Sequence, residues 1–262
     1  MSLRLTALLA IAASSVSGAA LAQAQPFTPV EAPKTWTAQV GAGVVYGTGV
    51  TDRTESDYRA VPWASVNYRD VVYANGLDGI GWNAVKTDSF RAGLQLRPRY
   101  AADDIEGSSL ERPGFGADAA IYAYQRLPGN IVIGGRVSQD VTGDEAGLEY
   151  MASVDHQRVT PVGLLRASAY VRGGNDERIQ RYYGVTPEQA PGSGFSPYTF
   201  SGGLSGAGAT VLLAVPVGDR FGLGGFVNYE QRLGDLKDSP LIEDDHVLRA
   251  GVIGVVRFSS GS

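Results

Sequence analysis

The last segment of the chain alternates strictly between two kinds of side chain. Residues 247–258 read VLRAGVIGVVRF, in which every second residue from Leu248 to Phe258 is apolar or glycine. The opposite parity carries Arg249 and Arg257. Because a strand places alternate residues on opposite faces, this segment has one wholly apolar face and one face that bears charge. The aromatic residue that ends the apolar face predicts that this face meets lipid.

The rest of the chain narrows the ways in which it can cross a membrane. No stretch after residue 22 contains the roughly 18 consecutive apolar residues that a membrane helix needs. Within lipid, only helices and closed barrels satisfy all their backbone hydrogen bonds. The 35 glycines and 13 tyrosines favour strands, turns and aromatic girdles over helices. The sequence therefore predicts a closed barrel.

The N-terminal residues predict export. A single positive charge at Arg4 precedes an apolar stretch at 5–13, and residues 20–22, Ala-Leu-Ala, have the small-x-small pattern of a cleavage site. This stretch is too short for a membrane helix. The predicted organisation is a signal peptide at 1–22, a periplasmic segment at 23–34, an outer-membrane barrel at 35–258 and a polar tail at 259–262.

Charge and cysteine content limit the possible partners. Without the predicted signal peptide, the chain loses one of its 22 basic residues and keeps 27 acidic ones, a net charge of 21 − 27 = −6. This balance disfavours nucleic acid as a partner. The chain has no cysteine, so it has neither disulfides nor thiolate metal ligands. We expect no cofactor and no metal.

Twelve segments show the period of two that is typical of strands. On the first of them, an apolar face begins at Trp36 and ends at Tyr46, which is the girdle, core, girdle profile of a membrane strand. An even number of strands is the rule in bacterial barrels. The predicted strands are 36–46, 58–68, 70–74, 79–85, 89–100, 114–126, 130–139, 148–157, 162–172, 204–215, 221–231 and 247–258.

The connections alternate in length. Tight turns at 127–130 and 218–219 contrast with long polar segments at 101–113, 173–203 and 233–246. The fold class is therefore predicted to be all-β, an antiparallel transmembrane β-barrel of about 12 strands with short periplasmic turns and long extracellular loops. Both termini would lie in the periplasm. If the short hairpin around residues 75–79 is merged or dropped, ten strands remain.

The second parity of the strands carries many charges, which are predicted to face the lumen. Burying them in an apolar core would be prohibitive, whereas in a lumen they can pair or contact water. Two roles stay open: the arginines neutralise inward carboxylates and stiffen the lumen, or their excess gives it a positive potential that selects solutes. The lumen-facing candidates are Arg91, Arg97, Arg99, Asp118, Arg136, Arg166, Arg172, Glu230, Arg249 and Arg257.

One long loop carries a recognisable motif. Its core is the block Tyr182, Tyr183, Gly184, Val185 and Thr186. It is followed by Gln189-Ala190, by a Ser-Gly-x-x-x-Tyr element at 193–198, and by Gly203-Leu204 at the start of a strand. In these motifs, and in Leu-Asp-Gly-Ile-Gly at 77–81, Arg-Leu-Gly-Asp at 232–235 and Asp-Ser-Pro at 238–240, the chain resembles the MipA/OmpV family of outer-membrane proteins.

The resemblance implies an outer-membrane barrel and two candidate functions. In the first, the protein is a scaffold that holds a lytic murein transglycosylase and a murein synthase together, as one member of that family does. In the second, it is a narrow porin-like channel whose arginine-bearing lumen passes small solutes or serves osmotic adaptation. Its other partners would be outer-membrane lipid and lipopolysaccharide. The terminal Phe258 resembles a barrel insertion signal, but four residues follow it where such chains usually stop.

The residues of the motif loop also predict how the loop folds. Gly184 permits a positive φ or a close backbone approach, and the two tyrosines would put one ring on each side of the chain. Such a loop would either pack against the barrel rim or fold into the pore mouth, where it would gate the pore or bind a partner.

Catalysis is not predicted. The chain has two histidines, His156 and His246, and no Gly-x-Ser-x-Gly motif around a serine. The acidic residues between 235 and 245 are read as a solvated loop rather than a cation site. Trp63 and Trp82 are read as girdle or rim residues rather than as a ligand cage.

Overall fold

The alternating segments pair side by side into one closed sheet. The computed structural model of the chain describes residues 35–47, 57–102, 105, 108–143 and 147–260; the predicted signal peptide and periplasmic segment lie outside them. Within this part of the chain, twelve antiparallel strands form a closed barrel. Each strand pairs with its neighbours in the sequence, and the last strand pairs with the first. The predicted fold class is confirmed.

The strand boundaries lie close to the predicted ones. The ten-strand alternative is wrong, because the short hairpin forms two separate strands that pair with each other. The strands are β1 (Trp36–Gly47), β2 (Asp57–Tyr68), β3 (Val72–Asn75), β4 (Gly79–Lys86), β5 (Phe90–Arg99), β6 (Gly116–Leu127), β7 (Ile131–Asp140), β8 (Leu148–Thr160), β9 (Gly163–Gly174), β10 (Gly203–Val217), β11 (Phe221–Arg232) and β12 (His246–Ser259).

The outer surface of the barrel is an apolar band between two aromatic girdles. Trp36 of β1 lies opposite Tyr68 of β2 at one end, and Tyr46 lies opposite Tyr58 at the other, with ring centroids 5.0 Å apart. The ten residue steps from Trp36 to Tyr46 span roughly 33 Å along the strand. At the usual tilt this gives a band about 25 Å tall, the hydrocarbon thickness that outer-membrane barrels present.

The two ends of the barrel differ in how the strands are connected. Short turns join the strands at the end that holds the chain termini, which we call the turn end, and the long loops lie at the opposite loop end. At the turn end, β12 continues one residue past Phe258, so that Ser259 pairs with Thr37. The Ser260 hydroxyl then accepts a hydrogen bond of 3.0 Å from the Thr35 backbone N–H. The first residues of the predicted tail therefore extend the closing seam.

Glycines on the inner face lie directly opposite aromatic rings. A Cβ at Gly93 would lie 2.6 Å from the Tyr122 hydroxyl, and one at Gly208 would lie 2.5 Å from the Tyr170 hydroxyl. The missing side chain lets the opposing ring lie flat on the sheet, which fills the lumen without a clash. The five pairs are Tyr73 with Gly81, Tyr122 with Gly93, Tyr124 with Gly134, Tyr170 with Gly208, and Phe226 with Gly251.

One tryptophan departs from its predicted place. Trp82 is half exposed on the lipid face, as predicted for a girdle residue. Trp63 was predicted to be a girdle residue as well, but it has the inward parity of β2 and is partly buried. That prediction is wrong, because strand parity and not aromatic character decides which way a side chain points.

The long loops contain two short helical segments. Asp176–Tyr183 forms an α-helix, α1, between β9 and β10, and Gly234–Asp238 forms a 3-10 turn between β11 and β12. Neither was predicted from the sequence. Among the residues that the structure describes, no helix has the length and hydropathy needed to cross a bilayer.

Candidate functional site in the lumen and its capping loops

The ten charged residues predicted to face the lumen all have inward parity in their strands. Eight of them are buried, whereas Arg172 and Arg257 are partly exposed. Arg257 lies near the turn end, where its backbone N–H bonds to the Arg220 carbonyl at 2.6 Å. The others fall into several groups, each built around a carboxylate.

Glu149 of β8 is the centre of the group nearest the loop end. Its carboxylate lies 3.4 Å from Arg136, 3.8 Å from Arg97 and 3.2 Å from Arg178. Arg178 belongs to α1 and not to the barrel wall. The loop helix therefore places a cation among the lumen charges.

Asp118 of β6 joins the same group. Its carboxylate lies 3.6 Å from Arg178 and 3.6 Å from Arg99. Arg99 in turn lies 3.4 Å from Asp140 and donates a hydrogen bond of 2.9 Å to the Thr142 hydroxyl. We call these seven charged residues the loop-end cluster: Arg97, Arg99, Asp118, Arg136, Asp140, Glu149 and Arg178.

Glu230 of β11 organises a second group. Tyr170 donates a hydrogen bond of 2.8 Å to its carboxylate, and Arg172 donates one of 3.0 Å through Nε. Asn228 donates to the Tyr170 hydroxyl at 3.0 Å. Arg249 lies directly opposite Asn228 on β12. Because Glu230 is fully buried, these donors satisfy a charge that the lumen wall would otherwise leave unsolvated.

Asp155 of β8 organises a third group. Arg166 donates to its Oδ1 atom through Nε at 3.0 Å and through a terminal nitrogen at 2.7 Å. The Ser168 hydroxyl donates to the same oxygen, and Ser153 donates to Oδ2 at 3.2 Å. A smaller pair joins Arg91 to Asp70 at 2.8 Å near the turn end.

Several partners in these groups were absent from the sequence-based candidates. Glu149, Asp140 and Asp155 all have inward parity, and the alternation of Glu149, Met151, Ser153 and Asp155 along β8 was a usable signal for two of them. Arg178 gave no such signal, since it lies in a loop that no strand pattern covers.

Local sequence explains why α1 forms. The Asn175 side chain accepts a hydrogen bond of 3.0 Å from the Arg178 N–H, and Asp176 and Glu177 occupy the first turn, where acidic residues complement the helix dipole. The same Asn175 oxygen accepts from the Leu148 N–H at 2.9 Å, which ties the helix to β8. Gly184 ends the helix.

Gly184 does not adopt the positive φ that was one of the two expected reasons for a glycine. Its φ is −89°, and its N–H closes the helix on the Gln180 carbonyl at 2.8 Å. The other expected reason holds, because a Cβ there would lie 2.0 Å from the Gln180 side chain. The neighbouring tyrosines do not straddle the chain: Tyr182 and Tyr183 are both buried, with ring centroids 6.2 Å apart.

The three long loops pack on one another through the motif residues. One hydrophobic cluster joins Ile179, Tyr182 and Tyr183 to Ala102, Leu236 and Ile242 of the other two loops. A second cluster joins the fully buried Val185 to Ile105, Leu110 and Leu241. The Ser239 hydroxyl also donates to the Tyr183 carbonyl at 2.7 Å. We call this packed assembly the cap.

Electrostatics hold the cap to the lumen. Burial is the largest single influence and opposes the charge on the Arg178 guanidinium, but Glu149, Tyr182 and Asp118 together outweigh it and raise the pKa of Arg178 above its ordinary value. Burial likewise raises the pKa of the Tyr182 hydroxyl, although the adjacent Arg178 opposes that shift. Arg178 lies over the Tyr182 ring at 4.7 Å from its centroid, so the ring also stabilises the cation.

The charges do not line the lumen evenly. On β10, β11, β12, β1 and β2, two successive rows of inward residues carry no charge and, apart from the indole N–H of Trp63, no polar side-chain group. Val61, Trp63, Ile253 and Val255 in these rows are each partly exposed, so they line an open part of the lumen. We call the ten residues the apolar wall: Val61, Gly43, Ile253, Gly224 and Ala214, then Trp63, Gly41, Val255, Gly222 and Pro216.

The histidines and loop carboxylates form no reactive arrangement in the part of the chain that the structure describes. His156 is exposed on the lipid parity of β8, and His246 stacks on Tyr229 and contacts Asp245 at 3.2 Å. Neither bonds to a serine there. Ser193 of the motif loop is buried and donates to the Ala190 carbonyl. The described residues hold no group of three potential metal ligands.

Comparison with known proteins places this barrel in a family. The sequence profile described as MltA-interacting protein MipA matches residues 40–258. No curated protein matches the chain.

The chain is also weakly similar to solved structures of outer-membrane proteins. A bacterial polysaccharide outer-membrane secretin is 10% identical with a TM-score of 0.40, and the match covers 87% of this chain and 100% of that one. For OmpT of Vibrio cholerae without its loop L8, the identity is 10% and the TM-score 0.40, with 85% and 98% covered. An outer-membrane channel from Pseudomonas putida F1 is 10% identical with a TM-score of 0.39, with 87% and 97% covered. Likenesses at this level carry no argument about function.

Proposed function

The chain belongs to the MltA-interacting protein MipA family of outer-membrane barrels, and from this we propose that it is an interaction protein for murein enzymes. Its barrel anchors a binding surface in the outer membrane, and the enzymes bind at the turn end, on the periplasmic side. The family description names an interaction partner, MltA, and we propose a lytic murein transglycosylase as the first enzyme bound there. We propose a murein synthase as the second enzyme held there.

The observation that carries this proposal is the cap. Three loops share two hydrophobic clusters over the loop end, and Arg178 reaches from α1 to Glu149 and Asp118 in the lumen. Such packing supports a barrel without a wide, permanently open pore. A barrel of twelve strands is also narrow enough for inward side chains to fill much of it. A closed barrel suits an anchor better than a general porin.

The charges at the turn end support the place of binding. Among the described residues, and besides the buried Arg91 that pairs with Asp70, six basic residues lie there against three acidic ones, although the whole chain is acidic. Arg69, Lys86, Arg158 and Arg220 are exposed. This turn-end rim gives the periplasmic side a positive field that would steer an acidic protein surface. Its basic members are Arg69, Lys86, Arg126, Arg158, Arg220 and Arg257, and its acidic members are Asp70, Asp88 and Asp219.

Crosslinking from the turns tests the proposal. A photoreactive residue at Pro128 or Gly218 is expected to capture a murein transglycosylase or synthase in intact cells, and the double variant Arg158→Glu/Arg220→Glu is expected to lose most of that product. Glu188 and Lys237, which lie in the cap, serve as control positions on the other side of the membrane. Failure to recover any murein enzyme from the turns would reject the scaffold role.

A narrow channel is the second candidate, since the apolar wall lines an open part of the lumen. Purified protein in planar bilayers is expected to show small or no steady conductance. Large, reproducible, anion-selective steps that vanish in Arg97→Ala or Arg99→Ala would favour the channel over the scaffold. In either case we propose no catalysis.

The remaining assignments concern the environment of the barrel. The cap would contact lipopolysaccharide, and the apolar band would contact lipid. Export by a cleaved signal peptide is tested by sequencing the N-terminus of protein purified from outer membranes, which is expected to begin at Gln23. Phe258, exposed on the lipid face opposite Ala38, is the residue we propose for recognition during insertion.

A further inference from the structure

The third and fourth strands are too short to complete the barrel wall. The ladder between β2 and β3 ends where Ser65 meets Asn75, and the ladder between β4 and β5 ends where Ile80 meets Leu96. Toward the loop end, residues 60–64 of β2 pair with β1 on one side. Among the residues that the structure describes, they have no strand partner on the other side. The axes of β2 and β5 are therefore about three strand spacings apart there, ~14 Å, which leaves a window about two strands wide, ~10 Å.

Both edges of the window carry a proline. Pro62 lies in the part of β2 beyond Ser65, and Pro98 lies in the part of β5 beyond Leu96. Proline has no N–H to donate to a ladder, so within sheets it is confined to edges. Pro216 of β10 is the third proline that lies within a described strand. It also lies beyond the last pair that joins its strand to β9. The two prolines therefore mark both edges of the window in the sequence, and they disfavour an added strand as its occupant.

The window lies at the depth of the hydrocarbon. On β2, the unpaired residues 60–64 lie between the girdle residues Tyr58 and Tyr68. The hairpin top, opposite Ser65, stands roughly 10–15 Å above the lower girdle of the ~25 Å band. Tyr100 at the end of β5 donates a hydrogen bond to the Gly76 carbonyl and so fixes the hairpin against β5. The opening therefore faces the lipid leaflet on the loop side.

The window leads onto the apolar wall. Both rows of that wall end on β2, one at Val61 and the other at Trp63, and both residues lie in the unpaired segment of the strand. From Val61 the row continues inward over Gly43 to Ile253. Apolar surface is therefore continuous along the inner face of the wall, from the edge of the window on β2 across β1 to β12. The cap covers the loop end.

We propose that this window is a lateral entry through which an alkyl or acyl chain from the surrounding leaflet reaches and binds the apolar wall. The match is chemical: the opening is at hydrocarbon depth, and the rows behind it offer aliphatic and aromatic side chains on a smooth glycine backbone. A charged or strongly polar solute would lose its hydration there without gaining partners. An alkyl chain would bury its own apolar surface at no such cost.

Cysteine labelling tests this directly, because the chain has no cysteine of its own. Four single variants are made. Val61→Cys lies at the window and Ile253→Cys lies deeper in the same row. Ser153→Cys lies inward on β8 beside Asp155, and Val66→Cys lies on the lipid face of β2. Each is folded into phosphatidylcholine vesicles. N-(1-pyrenyl)maleimide is supplied in the bilayer, and a sulfonated maleimide is supplied in the water. Circular dichroism and heat-dependent gel mobility show that each variant folds.

The expected result is an ordering of rates with the bilayer reagent. Val66→Cys reacts fastest, Val61→Cys and Ile253→Cys follow, and Ser153→Cys reacts slower than Val61→Cys by an order of magnitude or more. Dodecane dissolved in the vesicles is expected to slow the reaction of Val61→Cys and Ile253→Cys several-fold and to leave Val66→Cys unchanged, since only the first two lie on the proposed binding surface.

Two outcomes would overturn the proposal. If Val61→Cys and Ile253→Cys react with the bilayer reagent no faster than Ser153→Cys, chains do not enter through the window. If both react faster with the sulfonated reagent and ignore dodecane, the space behind the window is aqueous. A second variant set with Val255→Cys, which lies in the other row of the apolar wall on β12, repeats the measurement should one of the first variants fail to fold.

Discussion

Arg178 of the loop helix α1 lies 3.2 Å from Glu149 of β8 and 3.6 Å from Asp118 of β6. One side chain of the cap thereby joins two strands of the lumen wall. The hydrophobic clusters hold the loops to one another, whereas this cation holds them to the barrel. The position of α1 is thereby tied to two carboxylates of the lumen wall.

Replacing Arg178 is expected to loosen the cap. Arg178→Ala removes a charge-assisted hydrogen bond to Glu149, worth about 1.5–3 kcal/mol, and an ion pair with Asp118. Glu149 keeps Arg97 and Arg136, so the barrel is expected to fold. Hydrogen exchange of residues 176–183 is expected to accelerate, and planar bilayers are expected to show more frequent openings.

Arg181→Ala is the matched control for that experiment. Arg181 lies on the same helix but donates to the Glu111 carbonyl within the loops, at 3.0 Å. It does not belong to the loop-end cluster. An equal gain in conductance from both variants would show that any change in the cap, and not the contact with Glu149, opens the lumen.

Replacing the buried carboxylate of Glu230 is expected to destabilise the barrel strongly. In Glu230→Gln, the neutral amide leaves Arg172 without its anionic partner, and breaking a buried pair costs about 3–5 kcal/mol. Urea unfolding of the protein in detergent or vesicles measures this loss. Asp245→Asn changes the exposed contact with His246, which solvent screens, and is expected to leave the unfolding midpoint nearly unchanged. Similar midpoints for the two variants would contradict the role given to Glu230.

Adding a methyl group at Gly208 is expected to displace Tyr170. The new Cβ in Gly208→Ala would lie 2.5 Å from the Tyr170 hydroxyl, which is held in place by Glu230 and Asn228. We expect a loss of about 1–3 kcal/mol, as for overpacking in other interiors, and a lower folded yield. Gly225→Ala in β11 is the control, since its nearest neighbour is 3.7 Å away. Unchanged stability in Gly208→Ala would show that the ring moves freely.

Shortening the C-terminus tests the closing seam. Removal of residues 259–262 deletes the pairing of Ser259 with Thr37 and the contacts of Ser260 with Thr35 and Trp36. We expect a less stable barrel, by about 1–3 kcal/mol for the lost hydrogen bonds. Outer-membrane yield and urea unfolding measure the effect, and removal of residues 261–262 alone is the control. A higher yield from the longer deletion would show that the tail hinders insertion.

Local patterns predicted the architecture well. The twelve strands and their inward faces follow from a period of two that each segment carries by itself, as in the β8 alternation of Glu149, Met151 and Ser153. Trp63 shows the limit of residue type as a guide, because its parity placed it inside while its aromatic character suggested a girdle. Helix α1 was missed because eight residues in a polar loop show no strand period, although Asn175 and Gly184 mark its two ends.

The sequence by itself determined which residues form strands and which face of each strand is polar, since these depend on near neighbours along the chain. It also determined where a strand could lack a partner, through Pro62 and Pro98. Only the tertiary structure decided that Arg178 meets Glu149, that Glu230 gathers Tyr170 and Arg172, and that two apolar rows lead to the window. Those relationships join residues that are far apart in the chain. They depend on the register of the strands and on the closure of the barrel. A slip of one residue in register would turn the inward side chains of a strand outward.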